Sequence, residues 1–189
     1  MFSNVRLVAK NIIFLLLAEL IISCGTVRTS MYSFDYPLTS EVAKSQSSVL
    51  NVKIPQGWFT AQDNENNFID LWLIKDDYSA NLQFIQLNLD SLTKKETAGK
   101  GLSKVAALSK DFKCARFGKA LGLFTNDEIF ELNNTTYIAY QYLDDDKKNI
   151  RVVVFQKGNM FYELTAIPNK TNDNTELFRI QNSVLSSIN

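Results

Sequence analysis

The chain contains no histidine. Histidine is the commonest general base near neutral pH and the commonest transition-metal ligand, so its absence excludes a His-activated cysteine nucleophile and His-ligated metal centres. Cysteine is scarce too: only Cys24 and Cys114 occur, and Cys24 closes an N-terminal apolar stretch. An intramolecular disulfide is therefore not expected to hold the fold. Only three prolines stand against a 12% aromatic share, the composition of a packed body and not of a disordered tether. Charge of one sign is also lacking, with 20 basic and 20 acidic residues. Nothing in that balance favours phosphate backbones or anionic lipid, which points away from nucleic acid. No internal repeat or low-complexity block appears.

The first 24 residues carry the most specific signal. Arg6 and Lys10 supply a positive start, and apolar residues run from Ile12 to Ile22, interrupted by Glu19. The stretch ends in Ile21-Ile22-Ser23-Cys24, an aliphatic residue three before a cysteine and a small one just before it. This resembles a bacterial lipoprotein signal. The resemblance implies that Cys24 is diacylated on sulfur, that the chain is cut after Ser23, and that the new amino terminus is acylated. A plain secretory signal with an incidental cysteine is one alternative. An uncleaved anchor is another, although about eleven residues with one charge are short for a span. With Arg6, Lys10 and Glu19 removed, 18 basic residues face 19 acidic ones, a net of about −1.

The expected organisation is a signal over residues 1–23, a lipidated Cys24 and Ser/Thr-rich tether over 24–48, and a single domain over 49–189. Leu50, Val52 and Ile54 alternate with polar residues as in a strand, which Pro55-Gln56-Gly57 stops. Residues 68–75 and 82–89 read as two strands apolar on both faces, joined by the turn-rich Asp76-Asp77-Tyr78-Ser79. Residues 129–132 and 135–143 form a hairpin about Asn133-Asn134, and two further strands cover 150–156 and 160–167. Two helices supply the cover. One spans about 97–112, with Leu102, Val105, Ala106 and Phe112 near one face. The other is C-terminal, carrying Leu177, Ile180, Val184, Leu185 and Ile188, with Asp173 and Glu176 as a capping-box-like start. The fold class is α+β: a mainly antiparallel sheet covered by helices on both faces.

Three parts of this layout occur together: the corner Ile54-Pro55-Gln56-Gly57-Trp58, the meander ending in Phe161-Tyr162-Glu163-Leu164-Thr165-Ala166, and the closing amphipathic helix. Over residues 49–188 the pattern resembles the PsbP-like α/β/α sandwich. That family includes photosystem II extrinsic proteins, a Ran-binding nuclear-transport factor and many bacterial lipoproteins. The resemblance implies a scaffold whose members mostly bind proteins or assist assembly. It transfers no site residue, since no metal-site or partner-site motif of the family is present.

The remaining constellations have plain structural readings. Asp144-Asp145-Asp146 lacks the alternating ligands of a calcium loop, and Lys147 and Lys148 follow at once, so a solvated turn is expected. Cys114, between Lys113 and Arg116, reads as a partly buried structural thiol. Gly99-Lys100-Gly101-Leu102-Ser103-Lys104 lacks the P-loop spacing. Trp58, Phe59, Trp72, Tyr137, Tyr140, Tyr142 and Tyr162 read mainly as core, with Trp58 the candidate for an exposed binding residue because it follows Gly57 in a connection. Glu128, Glu131 and Glu163 lie on or beside strands, where a catalytic carboxylate pair would sit. The expectation is a non-enzymatic envelope lipoprotein, with no cofactor and no metal. It is lipid-anchored to a membrane, on its periplasmic side. It acts as a protein-interaction or assembly-assisting module on an unidentified envelope protein. The alternative is a small-molecule or lipid-binding lipoprotein.

Overall fold

Among the described residues, nine strands and two helices follow one another in the order β1 (Leu38–Lys44), β2 (Asn51–Pro55), β3 (Trp58–Ala61), β4 (Leu71–Lys75), β5 (Ala80–Leu87), α1 (Gly101–Phe117), β6 (Glu128–Leu132), β7 (Thr135–Leu143), β8 (Asn149–Lys157), β9 (Met160–Pro168) and α2 (Thr175–Ser186). This computed structural model describes residues 33–62, 68–89, 93, 101–118, 124–125, 127–169 and 174–189, which belong to one compact unit. Cys24 and the expected signal over residues 1–23 lie outside the described residues. Among the described residues, no helix is long and apolar enough to cross a membrane.

Strands β3 to β9 form a seven-stranded sheet in the order β3-β4-β5-β9-β8-β7-β6, each neighbouring pair antiparallel. The centre is the pairing of β5 with β9, so the chain from α1 through β8 is an excursion between two adjacent strands. The β6–β7 hairpin turns at Asn133 and Asn134, whose φ values of 49° and 61° are those of a type I′ turn. Both edge strands, β3 and β6, are short, which limits the unpaired backbone offered to other chains.

Alternation along the strands sorts the interior into two apolar clusters. Val153 and Phe155 of β8 join Leu177, Phe178, Ile180 and Val184 of α2. Ile150, Val152 and Val154 join Val105 and Ala106 of α1. Helix α2 is amphipathic in the three- and four-residue steps its sequence predicts. Its start differs from the expectation. The cap position is Asn174, whose side chain donates to the Asn149 carbonyl at 2.9 Å instead of capping, and Asp173 lies outside the described residues.

Two boundaries move. The fold does not begin at Val49: β1 pairs with β2, burying Ala43 against the α2 cluster. The loop after β1 is clamped to the sheet, because Ser47 donates its backbone N–H and its hydroxyl to Asp70, each at 2.7 Å. Further upstream, Tyr36 N–H donates to Ser183 Oγ, and Asp35 pairs with Arg179 at 2.6 Å. Helix α1 runs on to Phe117, five residues past the expected end. No helix breaker intervenes before Gly118, whose φ of +58° is the left-handed conformation that closes helices. Residues 97–100 lie outside the described residues.

Candidate functional site

The buried face of α1 carries Leu102, Val105, Ala106, Ser109 and Lys113, at the spacing of one helical face. Two of these are polar, and they meet a carboxylate from the sheet. Glu163 sits on β9 opposite Ile85 of β5 and Val154 of β8, which turns it toward α1. Ser109 Oγ donates to Glu163 Oε1 at 2.5 Å, and Lys113 Nζ donates to Oε2 at 2.6 Å. The Ser109 hydrogen is thus committed, so at the 2.5 Å contact between Tyr140 and Ser109 it is the tyrosine that donates. Burial, and then the Glu163 charge, push the Tyr140 phenol well above its ordinary pKa and keep it a neutral donor. The Glu163 side chain is 3% exposed and that of Lys113 14%. This is a compensated buried ion pair with one end opening outward.

The opening is a groove of about 390 Å3 between the second half of α1 and the β5 side of the sheet. Phe68, Phe112, Ile85 and Leu87 form its apolar lining, while Lys113, Arg116 and Glu163 line its charged side. Phe68 and Phe112 are about half exposed, at 52% and 53%. The Arg116 guanidinium lies over the Phe68 ring, 5.5 Å from its centroid. Asp70 also reaches the groove, with its oxygens engaged by Ser47. A wider depression of about 810 Å3 opens between β1 and β3–β4, lined by Lys44, Gln46, Thr60 and Gln62 among others. Among the described residues it gathers no aromatic side chain and no ion pair.

A second buried charge lies in the α2 cluster. Arg151 is fully buried on β8; it donates to Gln181 Oε1 and Asn182 Oδ1 at 2.8 and 2.9 Å, and stacks near Phe130 and Phe178. Glu128 Oε2 lies 3.8 Å from its guanidinium. Gln181 in turn donates to the Leu164 carbonyl at 2.8 Å, so the group pins α2 to the sheet.

Trp58 is not the exposed binding residue expected from the sequence. It is 6% exposed and belongs to the α2 cluster. Gly57, with φ +79°, turns the chain so tightly that Trp58 is the first residue of β3, paired with Lys75, and its alternation points it inward. Cys114 is also corrected: it is exposed, because it lies beside the buried α1 face and not on it. Phe112, expected among the core residues of the first helix, stands instead at the groove rim. Tyr137, Tyr140, Tyr142 and Tyr162 are core, as expected. The three glutamates do not converge. Glu163 faces α1, Glu128 faces Arg151 on the other side of the sheet, and Glu131 is exposed. Asp144 accepts from Lys148 N–H at 2.8 Å and Asp146 pairs with Lys148 Nζ, a turn as expected. Among the described residues, no three acidic or cysteine side chains gather as a metal site.

The Ser109–Tyr140–Glu163–Lys113 group was not found by sequence reasoning. Its signals are two polar residues at core positions of α1 and a lone charge in the apolar run of β9.

No family model matches the chain, and no curated protein sequence matches it. The solution structure of cyanobacterial PsbP (CyanoP) from Synechocystis sp. PCC 6803 is similar to it. The TM-score is 0.57 at 14% identity, over 88% of this chain and 96% of the other. A protein from Bacteroides thetaiotaomicron VPI-5482 aligns at a TM-score of 0.38 and 11% identity, over 79% of this chain and 47% of that one, too distant to bear on the fold. The likeness to CyanoP shows a PsbP-like fold: a mostly antiparallel sheet with two helices among the described residues.

Proposed function

We propose that this protein is a lipid-anchored envelope protein that acts by binding a small ligand in the groove beside α1, on a PsbP-like α/β/α sandwich with a helix over each sheet face. The sequence favours a protein-interaction or assembly-assisting module. The groove moves the preference to the alternative reading, because a concave apolar site with a few convergent polar groups is the ordinary form of a ligand pocket. The observation that carries this reading is the pair of half-exposed phenylalanines lining a 390 Å3 groove beside the buried Lys113–Glu163 pair. Binding without chemistry fits the lack of histidine and the enclosure of Ser109, whose hydroxyl lies beside a carboxylate and a lysine.

The anchor rests on Cys24, with cleavage after Ser23 and the domain on the periplasmic side of a membrane. Cys24→Ala should abolish incorporation of labelled fatty acid and leave an unprocessed precursor; undiminished labelling would end the lipoprotein reading. For the groove, Leu87→Trp fills the site from a half-buried position. Aryl and alkyl fragments that raise the melting temperature of the wild-type chain should lose that effect in Leu87→Trp. Equal responses from the two proteins would place binding elsewhere.

One feature favours a protein partner as a second reading. Ile129 is 67% exposed on the edge strand β6, where unpaired backbone is available to another chain. Crosslinking to an envelope protein that is lost in Ile129→Lys, with the groove variant still crosslinking, would support that reading.

A further inference from the structure

We infer that the groove takes a short peptide in extended conformation, which adds a strand segment to β5 where β4 has ended; the inference rests on the groove being the ligand site. The central sheet is incomplete at this place. Strand β9 pairs with β5 along its whole length, from Ala80 to Leu87. On the other edge the β4 register stops at Leu71 opposite Phe84, and among the described residues no strand continues it. The cause is the clamp on Asp70. Its N–H still donates to the Phe84 carbonyl at 2.8 Å, but its own carbonyl accepts from Gln46 N–H at 2.7 Å and its carboxylate holds Ser47. The chain before β4 is drawn off toward the loop after β1, and the slot left beside Ile85, Gln86 and Leu87 is the groove.

The Phe84 carbonyl turns to the β4 side, and backbone groups of alternate strand residues turn the same way, so the N–H and C=O of Gln86 face the slot. A strand edge of this kind pairs with the amides of an added peptide, whose side chains then alternate between the two sheet faces. On the α1 face a peptide side chain lies beside Leu87 and between Phe68 and Phe112, an apolar place of aromatic size. On the opposite face it meets the Gln86 amide, which donates to Asn88 Oδ1 at 3.1 Å, so a polar residue suits it. Charge selects as well. Lys113 and Arg116 face Glu163 and Asp70 across the groove, and walls whose charges balance suit an uncharged segment. The ligand is thus polar, aromatic and polar in sequence, and runs antiparallel to β5 as β4 does, with its second residue opposite Leu87 and its third opposite Gln86. Three extended residues span about 10 Å. The groove of about 390 Å3, near the lower end of the about 300–1,000 Å3 range of small-molecule sites, suits a segment of that length.

The test uses the full chain in bilayer nanodiscs, with empty nanodiscs as the reference, and saturation-transfer NMR titrations of four probes: acetyl-Thr-Phe-Thr-amide, its two backbone esters and 3-phenylpropan-1-ol. One ester replaces the N–H of the third residue, which points at Gln86; the other replaces the N–H of the second, which points away from β5. The first ester should bind roughly fivefold more weakly than the amide, the scale of one hydrogen bond, and the second should bind like the amide. Leu87→Trp should abolish binding of the tripeptide, and Phe112→Ser, at the half-exposed rim, should weaken it several-fold. Equal affinity of the two esters, or a loss at the second residue instead, overturns the added strand while the groove reading stands. Binding of 3-phenylpropan-1-ol without the tripeptide does the same. Binding of every probe that persists in Leu87→Trp, or no binding at all, removes the groove reading and this inference with it.

Discussion

Breaking the buried ion pair from one side should cost far more than removing it whole. In Lys113→Met the Glu163 carboxylate keeps the hydrogen bond from Ser109 and loses its ionic partner Lys113 while its side chain stays 3% exposed. A buried charge stripped of its partner destabilises a protein by about 3–5 kcal/mol, out of a typical total of about 5–15 kcal/mol. Glu163→Gln leaves the opposite orphan, but the Lys113 side chain is 14% exposed at the groove and can turn its ammonium to water. That variant should lose only about 1–3 kcal/mol. In the double variant Lys113→Met/Glu163→Leu no charge remains, Ser109 keeps Tyr140, and stability should return to within about 1–2 kcal/mol of the parent. The three losses are read from urea unfolding of the chain from Met31, followed by far-UV circular dichroism. The coupling between the two sites is the decisive quantity. Losses that simply add, or a Lys113→Met cost under about 1 kcal/mol, would refute the burial and pairing argued for Glu163.

High pH should weaken the fold through the tyrosines of the α1 cluster. Burial, then the charges of Glu163 and Asp144, push the Tyr142 phenol up to about 12. Above pH 10 the unfolded chain gives up a proton that folded Tyr142 retains, so stability falls between pH 10 and 12, by about 2–3 kcal/mol from this residue. Tyr142→Phe should flatten that limb in chemical denaturation at pH 9, 10 and 11; an unchanged slope would contradict it. A chain starting at Ser45 lacks β1, Ala43 in the core and the Tyr36–Ser183 hydrogen bond, and should be at least about 2 kcal/mol less stable than one starting at Met31; equal midpoints would show β1 to be dispensable. Exposed Cys114 should react stoichiometrically with a maleimide under native conditions, at a rate independent of unfolding; protection until denaturant is added would refute its exposure.

The regular elements were legible because local chemistry and tertiary demand agree in them. Asn133-Asn134 tolerates positive φ at both turn positions, and the flanking strands alternate, so the β6–β7 hairpin needed no tertiary information. Helix α2 keeps its apolar stripe to the end. Where they disagree, reading the chain failed. In β1 only Ala43 is buried, and its polar Thr39-Ser40-Glu41 run shows no alternation, so a real strand looks like tether. Trp58 turned on a single dihedral angle at Gly57. The groove was hidden for a different reason: Ser109 and Lys113 weaken the very stripe by which a buried helix face is recognised, and their partner lies some fifty residues away on β9.

The pairing of β5 with β9 sets the order in which this protein can become itself. Its partners, from Ala80 with Pro168 to Leu87 with Phe161, are roughly eighty residues apart in the chain, so the central ladder is among the most non-local in the molecule. Until β9 has been synthesised, the β3–β5 and β6–β8 halves have no common strand to join them, and α2 has no completed sheet to cover. Closure is therefore a late, high-entropy step. If the chain is exported, as the proposed lipid anchor implies, this topology delays the rigid state until nearly all of the polypeptide is available.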